Sequence, residues 1–350
     1  MSNSRMTGLL THSRKWVLYA VGVLTLLLVP FLVPNQYVFR IVIAVLIAAP
    51  LALAQNLITG FTGMLSVGQA AFYGIGAYTS SLLVIRLGVP WLLALLAAGV
   101  LACVLGILLG FPCLRVGSDY LTLMTIAFNM IFITVALHWM GVTRGSMGIP
   151  GIPPPRIAGF AFNTNTRYYY LYLFLTALCY ASMYFLIHSH VGRAMIATRE
   201  DQTAAATAGI NVAYYKVLAF AIGTFWAGLA GSMSAHFLAF VGPSMFTIDE
   251  SLLQMQMAII GGLGSLPGSI LGAAILVSIP QIFQGLYEYR MLFSGLVMVV
   301  LMIWRPQGIM GVTASSVSAG GWMRRWFDRR KKRRADGAID TSLGTEDVQR

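Results

Sequence analysis

Charge is scarce in this chain. Only 10% of its 350 residues are Asp, Glu, Lys or Arg, while 58% are hydrophobic and the mean hydropathy is +0.77. A soluble domain carries about a quarter charged residues, so a water-soluble globular protein is excluded and an integral membrane protein is indicated. Cysteine is scarce too. Cys103, Cys113 and Cys179 lie in or beside apolar runs and form no CxxC. They imply no disulfide framework and read as small buried apolar side chains. No lysine follows a glycine, so there is no Walker A cradle for ATP. HExxH and GxSxG are absent. The five histidines are scattered, and His188 and His190, two apart, would face different ways on a helix. No metal set and no catalytic set are assembled, which points away from an enzyme and from a cofactor of the chain's own.

Ionisable groups are nearly missing from within the apolar runs. Arg40, Arg86, Arg115, Asp119, Asp249–Glu250 and the Glu288–Arg290 pair sit at their ends. Proton-driven transporters place such groups at depth. Their scarcity argues against that class, although carbonyls and hydroxyls could still hold sodium.

What is present is a succession of apolar runs. A membrane helix needs about 20 such residues. Candidate spans are Trp16–Val33, Val38–Ile58, Met64–Ile85, Val89–Phe111, Tyr120–Met140, Tyr168–Ile187, Val217–Phe240, Ser251–Gly262, Ser269–Leu286 and Met291–Trp304. The first follows Arg5, Arg14 and Lys15 but is longer than a signal-peptide core and has no A-x-A-like site after it, so it reads as an uncleaved helix. Ser251–Gly262 is short and runs into Gly261, Gly262 and Gly264, which suggests a broken or re-entrant segment near 251–268.

The expected fold is therefore an all-α polytopic bundle of about ten transmembrane segments, with eight satisfying the same parity. Ten spans starting in the cytoplasm leave only Arg40, Arg86, Arg144, Arg156, Arg167 and Arg290 outside, and every other basic residue inside. Both termini are then cytoplasmic. Residues 1–15 form an N-terminal segment, 16–310 a membrane domain, and 311–350 a cytoplasmic linker and tail. The tail's basic cluster, 324–334, reads as a contact for anionic lipid headgroups. Nothing supports a nucleic-acid partner. The outer loop, 141–167, contains GVTRGSMGIPGIPPPRIAGF and is expected to be structured and non-helical. At that length a binding surface and a plain connector remain equally open.

The long polar interruption, 188–216, holds Arg193, Arg199, Glu200, Asp201 and Lys216. Within it a helix is predicted over 198–209. Thr198 would be its N-cap, with Glu200 and Asp201 in the first turn and Gly209 as the stop. About ten residues span roughly 15 Å. So short and Ala-rich a helix does not hold itself together in water and has to dock on something. Uncharged polar residues also fall inside apolar runs. Gln55, Asn56, Ser66, Gln69, Tyr73 and Asn129 are candidates for a translocation path, with Ser66, Gln69 and Tyr73 on one helical face; Thr122 and Thr125 lie nearby. Interhelical hydrogen bonding explains them equally well. Gly106 and Gly110, and Gly264, Gly268 and Gly272, recur at the spacing of close helix packing.

Four stretches resemble a known family. NLITGFTGMLSVGQAAFYGIGAYTSSLL from Asn56 to Leu83 is similar to a segment of LivM-type permeases, the membrane subunits of ABC importers for branched-chain amino acids. Thr143, Gly145, Gly148, Ile149, Pro150 and Ile152 resemble that family's TGG-x-x-G-I-x-G-I-P loop, with Arg144 where glycine is common. The interruption matches at Ser189, Gly192, Arg193, Ala197, Arg199, Glu200, Asp201, Ala205, Gly209, Ile210 and Lys216, and GGLGSLPGSILGA at Gly261–Ala273. The resemblance implies that Gly192, Arg193, Thr198, Arg199, Glu200, Asp201, Ala205 and Gly209 form a coupling helix. That helix would sit in a groove of ATPase subunits, which carry ATP and magnesium. It also implies a LivH-like second permease, a periplasmic or lipid-anchored binding protein, and a bacterial inner-membrane location. Relatives carrying urea or aromatic acids, and a stand-alone secondary transporter or channel, are the alternatives.

Overall fold

A computed structural model of the chain describes Pro30 and residues 35–116, 118–157, 160–282, 290–305 and 307–311. The expected first span, Trp16–Val33, and the basic tail lie outside the described residues apart from Pro30 and Gly311. Among the described residues the protein is all-α, apart from two minimal strand pairs. Six helical segments among the described residues are long and apolar enough to cross a membrane.

The first helix, α1 (Gln36–Asn56), is capped by Asn35, whose side chain accepts the Tyr37 N–H at 3.0 Å. It runs on into a π turn, Leu57–Phe61, so the continuous segment has 26 residues. Helix α2 (Gln69–Leu87) starts five residues later than the apolar run does. Met64–Gly68 is not helical, and this corrects the expected span from Met64. Helices α3 (Trp91–Val116), α4 (Ser118–His138) and α5 (Asn165–His188) follow. The polar interruption forms α6 (His190–Glu200) and α7 (Gln202–Thr207). Then come α8 (Val212–Leu238), α9 (Ile248–Gly261), α10 (Leu266–Ile282) and α11 (Arg290–Trp304).

The centre of the bundle is α1, α2 and α8. Helices α2 and α8 approach at backbone distance, because a methyl group on Gly76 would lie 2.5 Å from the Gly228 Cα. Gly106 and Gly110 of α3 face Thr224 and Phe220 of α8, as the small-residue spacing implies. Around this centre α3 turns Leu93, Leu96, Val100, Val104 and Leu108 outward. An apolar stripe at helical spacing on the outside is what lipid tails require of a span.

Two ends can be told apart. At one, the short strands β1 (Ile149–Pro150) and β4 (Phe240–Val241) pair antiparallel, as do β2 (Arg156–Ile157) and β3 (Phe160–Ala161). His236 Nδ1 lies 2.8 Å from the Pro153 carbonyl, and Arg86 donates to the carbonyls of Gly141 and Val142. The loop 141–157 is thus held down on α2 and α8. It is mostly non-helical, with one helical turn at Met140–Thr143 and one 3-10 turn at Gly145–Met147. The polar interruption marks the other end.

Helices α9 and α10 have 14 and 17 residues, roughly 21 and 26 Å at 1.5 Å per residue. Helix α9 falls short of a hydrocarbon core about 30 Å thick, while α10 is described as far as Ile282. They form a tight hairpin. Gly268 and Gly272 of α10 meet the carbonyls of Gly261 and Met257, and Gly262 and Gly264 turn the chain with φ of 117° and 80°. The backbone break expected near 251–268 is therefore a turn at 262–265 between α9 and α10. A second break, at 57–68, interrupts a stretch that reads as continuously apolar and helical.

Candidate functional site

The interruption is two helices. Ser189 caps α6, accepting the Gly192 N–H at 3.4 Å. The first turn of α6 folds so close under α5 that a side chain at Gly192 would enter the Ile187 carbonyl. Thr198 does not cap anything. It lies in the last turn of α6, fully buried, with its hydroxyl donating to the Ala194 carbonyl at 2.9 Å. The cap of α7 is Asp201, in extended conformation, whose carboxylate accepts the N–H groups of Thr203 at 2.8 Å and Ala204 at 3.0 Å. The reason is local. A threonine hydroxyl satisfied inside a helix is no longer available to open the next one, whereas Asp201 reaches forward to two orphan donors. The predicted helix over 198–209 is corrected accordingly, and Glu200 closes α6 rather than opening α7. Gly209 does end α7. It has φ +84°, and the N–H groups of Gly209 and Ile210 bond to the carbonyls of Ala206 and Ala205 at 3.0 Å each, a Schellman closure.

Helix α7 presents a small, smooth surface. Asp201, Gln202, Thr203, Ala204, Ala206, Thr207 and Ala208 are exposed, and Ala205 is turned inward and buried. Arg193 is exposed and held near its own helix start, 2.7 Å from His190 Nδ1.

Arg199 behaves differently. It pairs weakly with Glu200 at 3.5 Å, but its guanidinium donates to the Gly60 carbonyl in the π turn at 2.6 Å. Its side chain packs on Gly63 and Gly264, where an added methyl group would come within 3.1 Å of it. Asn56 completes the join. Its amide nitrogen donates to the Ser265 carbonyl at 2.9 Å and the Ser269 hydroxyl at 2.6 Å, and its oxygen accepts the Gly264 N–H at 2.9 Å. Gly60 is obligatory here, since any side chain would overlap the Asn56 amide. Through Arg199 and Asn56, helix α6 is tied to both irregular stretches of backbone: the end of α1 and the α9–α10 turn. Residues Gly308–Met310 close the same end, with Ile309 and Met310 donating to the carbonyls of Ile260 and Gly261.

The remaining polar residues surround the second break. From Thr62 to Gly68 the chain leaves the helix, and unpaired backbone groups inside a membrane cost several kcal/mol each. Gln55 Nε2 donates to the Ser66 carbonyl at 2.8 Å, Thr122 to the Leu65 carbonyl at 2.9 Å, and Thr125 accepts the Val67 N–H at 3.1 Å. Ser251 accepts the Ala70 N–H at 3.0 Å. Ser66 therefore stands on extended chain and does not share a helical face with Gln69 and Tyr73. Gln69 donates to the Gly223 carbonyl at 3.2 Å and joins α2 to α8. Asn129 is fully buried, with neither amide atom bonded. Tyr73 lines a cavity. The six residues read as one path thus divide into a joint (Asn56), backbone partners (Gln55, Ser66), an interhelical tie (Gln69), an unbonded amide (Asn129) and a cavity wall (Tyr73). The groups missed were Gly60, Gly63, Gly264 and Ser251. Their signal, glycines and a serine in apolar surroundings, is the one ordinary helix packing also produces.

Comparison with known proteins places the chain among membrane transport components. Residues 37–302 match the family described as branched-chain amino acid transport system / permease component. The chain is 35% identical over 323 residues to the high-affinity branched-chain amino acid transport system permease protein LivM of Escherichia coli K12, covering 85% of this chain and 76% of that one. It is 35% identical over 286 residues to LivM of Salmonella typhimurium LT2, covering 75% and 67%. With the permease LivH of Escherichia coli K12 it shares 27% identity over 288 residues, 75% of this chain and 91% of that one.

Proposed function

This chain belongs to the branched-chain amino acid transport system permease family, and from that premise we infer the role of each part. It is the membrane-spanning permease subunit of an ATP-binding-cassette importer for branched-chain or closely related amino acids. Hydrolysis of ATP, with its magnesium, is assigned to separate subunits. The polar interruption lies in the cytoplasm and the 141–167 loop outside the bacterial inner membrane. Trp16–Val33 and helices α9, α10 and α11 complete ten spans with both termini cytoplasmic. A LivH-like permease forms the other half of the pathway, a binding protein delivers substrate to the outer loop, and the basic cluster at 324–334 rests on anionic lipid.

In this reading α7 enters a groove of an ATPase subunit. The observation that carries it is the pairing of a short exposed helix of small residues with Arg199 just before it, whose guanidinium is bonded to the Gly60 carbonyl. Small side chains let two surfaces approach closely. Arg199 then carries displacement of α6 and α7 to the end of α1 and the α9–α10 turn together. Ala206→Trp tests it, because the exposed Ala206 can be enlarged without touching the chain's own core. The ATPase subunits are expected to stop co-purifying with the variant while the variant chain itself remains folded. Full co-purification with undiminished uptake would refute the docking role of α7.

A further inference from the structure

A cavity of about 260 Å³ opens between α1, α2, α8, α9 and α10. Ligand sites for larger molecules run to roughly 300–1,000 Å³, so this one suits a ligand about the size of a free amino acid. Its walls are unequal. Leu51, Met257, Leu276 and Val277 supply one apolar side. Tyr73 and Ser234, which share a hydrogen bond, and the half-buried Glu250 supply the other. Among the described residues Glu250 is the one charged residue of this lining.

We propose that this cavity is a substrate subsite for a branched-chain amino acid in transit. The proposal rests on the importer reading above and names a place for substrate that the reading lacks. The Glu250 carboxylate takes the ammonium group. The hydroxyls of Tyr73 and Ser234 face the substrate carboxylate, and the branched side chain lies against Leu51, Met257, Leu276 and Val277. The chemistry matches part by part: one anionic site for the only cationic group, the one hydroxyl proton that the Tyr73–Ser234 pair leaves over for the anionic group, and an aliphatic wall for the remainder. Among the described residues the lining holds a single carboxylate and no basic residue, so acidic side chains are repelled. Its apolar wall leaves polar side chains without partners.

The test uses the complete importer in proteoliposomes: this chain, its partner permease, the ATPase subunits and the binding protein. Leucine uptake by the wild-type complex is measured first. Its absence would overturn the importer reading and the subsite with it. With uptake established, Val277→Cys is alkylated with a small maleimide, and labelling of the parent chain's own cysteines is subtracted. Saturating leucine is expected to slow alkylation at least fivefold, and glutamate to leave it unchanged. Glu250→Gln should abolish that protection and reduce leucine uptake at least tenfold. If the Glu250→Gln chain does not assemble, Ser234→Ala is expected to weaken protection in the same assay. Alkylation indifferent to leucine, or protection that follows phospholipid content instead, would overturn the subsite while leaving the importer reading intact. So would Glu250→Gln uptake within twofold of wild type.

Discussion

Asn56 and Asn129 are both fully buried amides in apolar spans, yet replacing each with leucine should have opposite effects on stability. Asn56 donates to Ser265 and Ser269 and accepts from Gly264. The Ser265 carbonyl keeps another donor, the Ser269 N–H at 3.2 Å. Asn56→Leu therefore strands one part-buried group, the Gly264 N–H, and removes the two short bonds to Ser265 and Ser269 together with a longer one to the Gly262 carbonyl at 3.5 Å. An unpaired buried donor costs about 1–3 kcal/mol and each lost bond about 0.5–1.5, so the total is about 2–6 kcal/mol. Hydrogen bonds between membrane helices average nearer 0.6 kcal/mol, which favours the lower half of that range. At about 2–4 °C per kcal/mol, a loss of about 2–4 kcal/mol lowers Tm by about 4–16 °C. Asn129 has no bonded amide atom, so Asn129→Leu removes a desolvated polar group that nothing repays. It should be neutral or stabilising by about 1 kcal/mol. Thermal unfolding in detergent micelles, followed by tryptophan fluorescence, reads both. An Asn56→Leu chain as stable as wild type, or an Asn129→Leu chain that loses as much as Asn56→Leu, would refute the assignment of Asn56 as the joint between α1 and the α9–α10 turn.

Three other outcomes follow from single contacts. Asp201→Ala should free the N–H groups of Thr203 and Ala204 and cost about 1 kcal/mol locally, seen as faster hydrogen exchange across 202–208; Thr198→Val should leave that exchange unchanged, and the reverse pattern would restore Thr198 as the cap. Gly76→Ala places a methyl group 2.5 Å from the Gly228 Cα. Overpacking of this kind costs about 1–3 kcal/mol or more, so the monodisperse yield by size-exclusion chromatography should collapse, and a normal yield would contradict the close approach of α2 and α8. Arg199→Ala in the complete importer should retain bound ATPase subunits but lower uptake per ATP hydrolysed at least tenfold; a ratio within twofold of wild type would show that Arg199 transmits nothing.

Element type was legible because apolar length is a strong signal. The spans of α1, α3, α4, α5 and α8 were all marked by runs of about 20 apolar residues, and their ends fell within a few residues of expectation. The start of α2 was not, since Met64, Leu65 and Val67 are as apolar as a helix requires. Only tertiary partners such as Thr122 and Thr125 allow that backbone to be extended. The same blindness affected the interruption. Thr198 and Asp201 are both good caps in isolation, and the choice between them depends on whether α6 continues to residue 200, which burial of Met195 and Thr198 against the bundle decides. Gly209 was legible because a glycine directly after an alanine run supplies the left-handed residue that closes a helix at no steric cost.

The polar residues inside the membrane carry a broader consequence. In a bundle with two irregular stretches, the polar side chains are consumed first by backbone that has lost its helical partners. Gln55, Thr122, Thr125 and Ser251 serve 65–70, and Asn56 serves 262–265. A polar stripe therefore marks where the backbone is broken before it marks where substrate passes. Both breaks meet at Arg199, whose working contact is a backbone carbonyl and not its neighbouring carboxylate. An exposed pair such as Arg199–Glu200 contributes about 0–1 kcal/mol and is screened by salt. The bond to the Gly60 carbonyl joins two elements with no side chain on the accepting side to rotate away. That bond, with the packing of Arg199 on Gly63 and Gly264, holds a surface helix and the two least regular segments of the bundle in one register.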